Sequence, residues 1–305
     1  MGGASPKRAS TVDRYVLKRL YAKYKEGKLS RIGTERFTEP VHLNLLAVFV
    51  ALFGSFRAKV DFDLIIRQQN AFPILHAADK ARQAALKRLS IVEFGVANGA
   101  GLINMCKIAA SVEKATGVGF DIYGFDTGAG LPPAIDYRDH PEEFQGGDFP
   151  MDFEPLRRQL PANAHLLIGD VGETIPAFLD RLGPESPLAH ASLDFIYYSS
   201  SKRALEVFKA ADARKYVPMV TLYLDDIDVE GSNPWCGELL AVNEFNQENA
   251  LRKISPFTQL RAKRVFKNAS WIDKTYVVHV LDHPTRSVGT SKRTTSAVIK
   301  NEYLA

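Results

Sequence analysis

Glu93-Phe94-Gly95-Val96-Ala97-Asn98-Gly99-Ala100-Gly101 is the stretch whose reading decides the fold. It follows a short apolar run, Leu89–Phe94, and precedes a helical pattern from Leu102 to Thr116. Gly95 and Gly99 permit a tight turn with positive φ and allow a ligand to lie against bare backbone. Gly101 lets the helix begin close to the preceding strand, and the helix start offers free N–H groups. The spacing is G-x-x-x-G-x-G rather than the G-x-G-x-x-G of dinucleotide folds, which disfavours a nicotinamide oxidoreductase.

Outward from this turn the same texture recurs. Ile122–Phe125 ends at Asp126. His165–Ile168 ends at Gly169–Asp170 and is followed by a helical pattern over Ile175–Leu182. Leu188–Leu193 ends at Asp194, with a helix expected over Ser201–Tyr216, and Met219–Leu224 ends at Asp225–Asp226, with a helix over Glu238–Glu248. Strands alternating with helices predict a parallel sheet covered on both faces. Ligands of such sheets bind beyond the carboxyl ends of the strands, where these glycines and acids gather. Arg264–Phe266 and Tyr276–Leu281 are two further strand candidates.

The chain before Lys87 reads as helical, over Tyr15–Tyr24, Leu43–Phe56 and Leu64–Leu86. Val41–Phe56 carries no Asp, Glu, Lys or Arg but is shorter than the roughly 18–20 residues that cross a bilayer. It is expected to be a buried helix, with a membrane-associated hairpin as the alternative. The organisation expected is a helical extension at 1–88, a core at 89–283 and a loose basic tail at 284–305.

The 305 residues are 46% hydrophobic and 24% charged, which excludes wholesale disorder. No apolar run follows the small, basic start as in a signal peptide. Cys106 and Cys236 make no disulfide framework and have no ligand-spaced Cys or His partner, so a reducing cytoplasm is expected. The net charge of +4 is concentrated toward the termini, without the continuous basic stripe of a nucleic-acid groove. A small molecule is the expected partner. The apolar N-terminal helices either cover the sheet or build a homodimer contact.

Glu93–Gly101 resembles motif I of class I S-adenosylmethionine-dependent methyltransferases, acid-x-Gly-x-x-x-Gly-x-Gly. The resemblance implies a Rossmann-like three-layer α/β sandwich with a mostly parallel seven-stranded sheet, to which the N-terminal helical extension read above is added. It implies that Glu93, Gly95, Asn98, Gly99 and Gly101 line the cofactor, with Asp126 and Thr127 toward the ribose, Asp170 near the adenine and Asp194 on the same rim. Gly124-Phe-Asp126-Thr-Gly-Ala-Gly130-Leu-Pro132 is similar to a segment of the macrocin-O-methyltransferase-like branch, which is divalent-cation-dependent. That likeness spans roughly residues 91–245 and implies Mg²⁺ on Asp194, Asp225 and Asp226, with O-methylation of a small hydroxylated molecule.

Carboxylates converging on one rim suit a hard cation such as Mg²⁺. They also cap helices and end strands for local reasons, as Asp194 or Asp170 would. The adjacent acids Asp225–Asp226 repel each other unless a cation sits beside them. One residue departs from the branch: Ile196 stands where it carries a general base, and a branched aliphatic cannot accept a proton. Either a metal-bound hydroxyl ionises without a protein base, or His140, His190 or Tyr197 substitutes, and a non-catalytic S-adenosylmethionine-binding protein is the alternative. The 136–152 loop reads as a lid, Trp235 and Cys236 as pocket floor or core, and Glu238 and Glu244 as a solvated helix face.

Overall fold

The computed structural model describes residues 35–229 and 231–287. Tyr15–Tyr24 and most of the basic tail lie outside the described residues. The chain forms two compact units, Met1–Ile65 with Thr258–Ile272, and Ile66–Phe257 with Asp273–Ala305.

The larger unit is a Rossmann-like α/β sandwich. Helix α3 (Gln68–Gln83) precedes strand β1 (Arg88–Phe94), every residue of which is buried except Arg88. An unbroken buried run is the mark of a strand covered on both faces, as in the interior of a parallel sheet. Then follow α4 (Ala100–Thr116), β2 (Gly119–Asp126), α5 (Phe153–Arg157), β3 (Ala164–Ile168), α6 (Val171–Arg181), β4 (Leu188–Leu193), α7 (Tyr198–Ala204), β5 (Tyr216–Leu224), α8 (Gly237–Glu248), β6 (Arg252–Pro256) and β7 (Thr275–Val280). The strand order is β3-β2-β1-β4-β5-β7-β6. β1 to β5 pair in parallel, whereas β7 runs antiparallel to both β5 and β6. The chain winds from β1 out to β3, then restarts on the other side of β1 at β4. The crevice between β1 and β4 is therefore the topological switch point.

Two strand readings need correction. Arg264–Phe266 forms no strand. It follows the short helix α9 (Leu260–Lys263), and the Arg264 side chain is buried by ion pairing with Asp63 at 2.6 Å rather than by sheet packing. The strand missed is β6, where Ile254 is the one strongly apolar residue in Arg252-Lys-Ile-Ser-Pro256. At the sheet edge a strand needs little apolar surface of its own, and Pro256 stands at its end. The expected Ser201–Tyr216 helix is also shorter: α7 ends at Ala204, two 3₁₀ turns follow, and Tyr216 already belongs to β5.

The smaller unit contains α1 (Val41–Phe53), α2 (Phe56–Asp61) and α9. Ser55 caps α2 by accepting from the Ala58 N–H at 3.3 Å. The Arg36 guanidinium lies 3.8 Å over the Phe266 ring and donates to the Asp63 carbonyl at 2.9 Å. Glu39 accepts the backbone N–H groups of Lys267 and Asn268, which ties the two chain segments of this unit together. The expectation of a buried apolar helix fails for α1. Of its thirteen residues only Ala47 is buried, because the side chains are apolar around the whole circumference and the core takes only a narrow stripe.

Candidate active site

A backbone ladder assembles the site. Gly95 N–H donates to Phe125 O, Asp194 N–H to Phe94 O, Asp225 N–H to Leu193 O, and Gly169 N–H to Asp126 O, all at 2.9–3.0 Å. Each bond sets the first residue beyond one strand beside the end of its neighbour. Gly169, Asp126, Gly95, Asp194 and Asp225 thus follow one another along a single rim. Beneath it, the Phe94 and Phe125 rings stack at 4.6 Å.

The glycines of the first turn are required by packing. Gly95 has φ +82°, and a Cβ there would lie 2.3 Å from the Asp194 carbonyl oxygen. A Cβ on Gly101 would lie 1.9 Å from Glu93 Oε1. Gly99, at φ +79°, is covered by Leu156 of α5, whose Cδ1 would be 2.4 Å from a Cβ. A ligand lying against the Gly99 backbone must therefore displace or lie beside Leu156. Asn98 is exposed and accepts the Ala100 N–H at 3.1 Å, opening α4.

Glu93 is buried beneath this turn, and its Oε2 has no hydrogen-bond partner. Burial pushes its carboxyl up to about 8; Arg67 opposes this, while Asp194, Asp225 and Asp126 add to it. A buried polar atom without a partner, under a turn of bare backbone, fits a ligand that supplies a donor. Asp126 Oδ2 accepts the Ala97 N–H at 2.8 Å and Oδ1 the Gly128 N–H at 2.7 Å, so it locks the glycine turn to the end of β2. A carboxylate has about four acceptor positions, which leaves capacity for a ligand hydroxyl. Thr127 is exposed and donates to the Gly130 carbonyl at 2.8 Å.

Asp170 caps α6 through the Gly172 N–H at 2.7 Å and pairs with Arg203 at 2.6 Å. It is exposed on the rim, with a local role already filled.

Past β5 the acids are dense. Burial, reinforced by Asp194 and Asp225, raises the Asp226 carboxyl to about 8 against an opposing Lys274, and Asp226 Oδ2 has no partner. The Asp226 N–H donates to Glu238 Oε2 at 3.1 Å. Glu238 is buried rather than solvated, and burial holds its carboxyl well above the usual range. The expectation failed because α8 turns this first-turn residue inward under Asp226. Glu244 is partly exposed and accepts from Lys202 and the Tyr198 hydroxyl, each at 2.6 Å.

The cation that sequence reasoning demanded beside Asp225–Asp226 is a residue of the chain itself. Lys274 Nζ lies 3.6 Å from Asp225 Oδ1 and bonds Asp228. It arrives because antiparallel β7 begins at the rim: the Leu224 N–H donates to the Lys274 carbonyl at 3.0 Å. Among the described residues, no three of His, Cys, Asp or Glu are arranged to hold a metal ion. Asp194, Asp225 and Asp226 share the rim but, as they stand, do not fit a metal-ligand set.

The three candidate bases separate clearly. His190 lies within β4, fully buried between Thr221 Oγ1 at 2.9 Å and Asn70 Oδ1 at 3.1 Å, and burial lowers its pKa to about 3. It is a neutral core residue. The Tyr197 ring is buried, with its hydroxyl reaching the Phe144 carbonyl at 3.4 Å. His140 is buried on the 136–152 loop with φ +50°, and its Nδ1 is 3.2 Å from Glu142 Oε1. Its Nε2 and the Ile196 carbonyl lie 3.3 and 3.2 Å from the position a Cβ on Gly237 would take. Next to it, buried Asp139 fastens the loop to α7, accepting the Ser199 N–H at 2.8 Å and its hydroxyl at 3.0 Å. Trp235 is 71% exposed and floors nothing.

No family model matches the chain, and no curated protein sequence matches it. Among solved structures it is similar to the calicheamicin methyltransferase CalS11, with 21% identity over 84% of this chain and 95% of that one at a TM-score of 0.44. It is also similar to CmcI, with 16% identity, 71% and 72% coverage and a TM-score of 0.37. A third is the MycE methyltransferase of mycinamycin biosynthesis, solved with Mg, SAH and mycinamycin VI. There the identity is 12%, the coverage 67% of this chain and 48% of that one, and the TM-score 0.33. No described helix is long and apolar enough to cross a membrane.

Proposed function

We propose that the chain binds S-adenosylmethionine at the β1–β4 crevice and transfers its methyl group to a hydroxyl of a small molecule. The observation that carries this reading is the glycine turn. Gly95 and Gly101 admit no side chain, Glu93 lies beneath them with an unpartnered oxygen, and Asp126 closes the turn from the next strand.

In this reading Glu93 and the bare backbone of the turn receive the amino-acid end of the cofactor, and Asp126 accepts from its ribose. Thr127 and Asp170 border the nucleoside, and Leu156 shifts to admit it. The bound sulfonium supplies an electrophilic methyl group. The chain must then hold an acceptor oxygen in line and take up the proton that its hydroxyl loses. Ile196 cannot do so; the carboxyls of Asp194 and Asp225 stand on the same rim and are the proposed acceptors.

Calorimetry with S-adenosylhomocysteine, run with and without Mg²⁺, tests the proposal. Saturable one-to-one binding that Gly101→Ser removes is expected. Absence of binding in both conditions overturns the cofactor reading. Dependence on Mg²⁺ would add the metal assistance that the macrocin-type resemblance implies.

A further inference from the structure

The apolar face of α1 has no described cover. Along the helix Val41, Leu45, Val48, Leu52 and Phe53 recur at helical spacing, with Leu45 67%, Leu52 70% and Phe53 73% exposed. Phe49 and Phe53 pack ring to ring at 5.1 Å, so part of the surface is already ordered. No Asp, Glu, Lys or Arg interrupts the thirteen residues. Contiguous apolar surface of this kind marks a docking site rather than scattered exposure.

Three occupants compete. A bilayer is a poor one: an interfacial helix carries a strongly charged face toward the headgroups, and α1 has none. The preceding chain is a poorer match in charge, because residues 1–34 hold nine Lys and Arg against two acids and α1 has no acid to pair with them. A second copy of the same helix has neither defect. It is equally apolar and uncharged, and a two-fold axis makes any such patch its own complement. The exposed apolar side chains of α1 are of the kind that forms the apolar centre of an oligomer interface.

We infer that α1 is a homodimer contact, packing on α1 of a second copy. The inference does not rest on the cofactor reading. Analytical ultracentrifugation of the full chain tests it. The wild type is expected to sediment as a dimer at micromolar concentration, and Leu45→Lys with Leu52→Lys to weaken association about 100-fold or more, because like charges would be buried against each other. Both positions are exposed, so the double variant should keep its circular dichroism. A matching Leu45→Glu, Leu52→Glu variant should also be monomeric, and an equimolar mixture of the two should associate again. A monomeric wild type, a dimer unaffected by the lysines, or a mixture that stays monomeric would each overturn the inference. So would a wild type that is monomeric in solution and sediments with neutral phosphatidylcholine vesicles.

Discussion

Gly101 and Glu93 share one space: a Cβ on the glycine would stand 1.9 Å from the carboxyl oxygen of the acid. The first turn of α4 and the last turn-facing side chain of β1 are thus fitted to each other, eight residues apart in sequence. Gly101→Ala is expected to push Glu93 from its buried position, destabilise the fold by about 1–3 kcal/mol and weaken S-adenosylhomocysteine binding at least tenfold. Urea unfolding and calorimetry on the same preparation separate the two effects.

The turn's other two glycines should differ in tolerance. At Gly95 the obstacle is the Asp194 backbone carbonyl, which cannot move without breaking the sheet ladder. At Gly99 it is the end of the Leu156 side chain, which can rotate away. Both positions carry the penalty of positive φ, about 1–2 kcal/mol for a residue with a Cβ. Gly95→Ala should therefore unfold at distinctly lower urea concentration than Gly99→Ala. Equal midpoints would show that the Asp194 contact is not limiting.

Stability should fall with rising pH. Glu93, Asp226 and Glu238 all have folded pKa values above their unfolded ones, with Glu93 and Asp226 at about 8 and burial the main cause. The folded chain then holds protons that the unfolded chain has released, so stability is fullest near and below pH 4–5. It declines as pH rises toward 8. A melting temperature several degrees lower at pH 8.5 than at pH 5.5 is expected, with Asp226→Asn and Glu93→Gln each flattening the slope.

His190 should be silent in that range. Its pKa of about 3 and its bonds to Thr221 and Asn70 keep the ring neutral, so its imidazole resonances should not shift between pH 5 and pH 8. His190→Ala leaves two buried partners unsatisfied and a cavity, destabilising by about 2–4 kcal/mol. A titration midpoint near 6.5 would restore His190 as a base.

Asp170 permits a separation of cap from ligand contact. Asp170→Asn keeps a capping oxygen for the Gly172 N–H, whereas Asp170→Ala loses it at about 1 kcal/mol. If Asp170 also borders the cofactor, the Asn variant binds S-adenosylhomocysteine more weakly at unchanged stability. Unchanged affinity in both variants would confine Asp170 to the helix end.

The elements that could be read in advance are those whose cause is local. The glycine turn, the acids ending β2, β4 and β5, and the alternation of strand and helix all declare themselves within a dozen residues, and each falls where the pattern puts it. What stayed hidden depends on residues distant in the chain. Glu238 is buried because Asp226 donates to it across a loop, and Lys274 reaches Asp225 from 49 residues downstream. Leu156 covers Gly99 from beyond the 136–152 loop. The apolar composition of α1 was legible, but its lack of a partner in the described fold was not.

Lys274 owes its place to the one strand that enters the rim instead of leaving it. Loops that follow parallel strands must serve both the turn and whatever it holds, so their residues are doubly constrained. Position 274 precedes β7 and bonds none of the glycine turn, which makes it an independent dial: exchanging that single ammonium for a neutral or acidic side chain would reset the electrical character of the mouth while leaving the nucleoside cradle untouched.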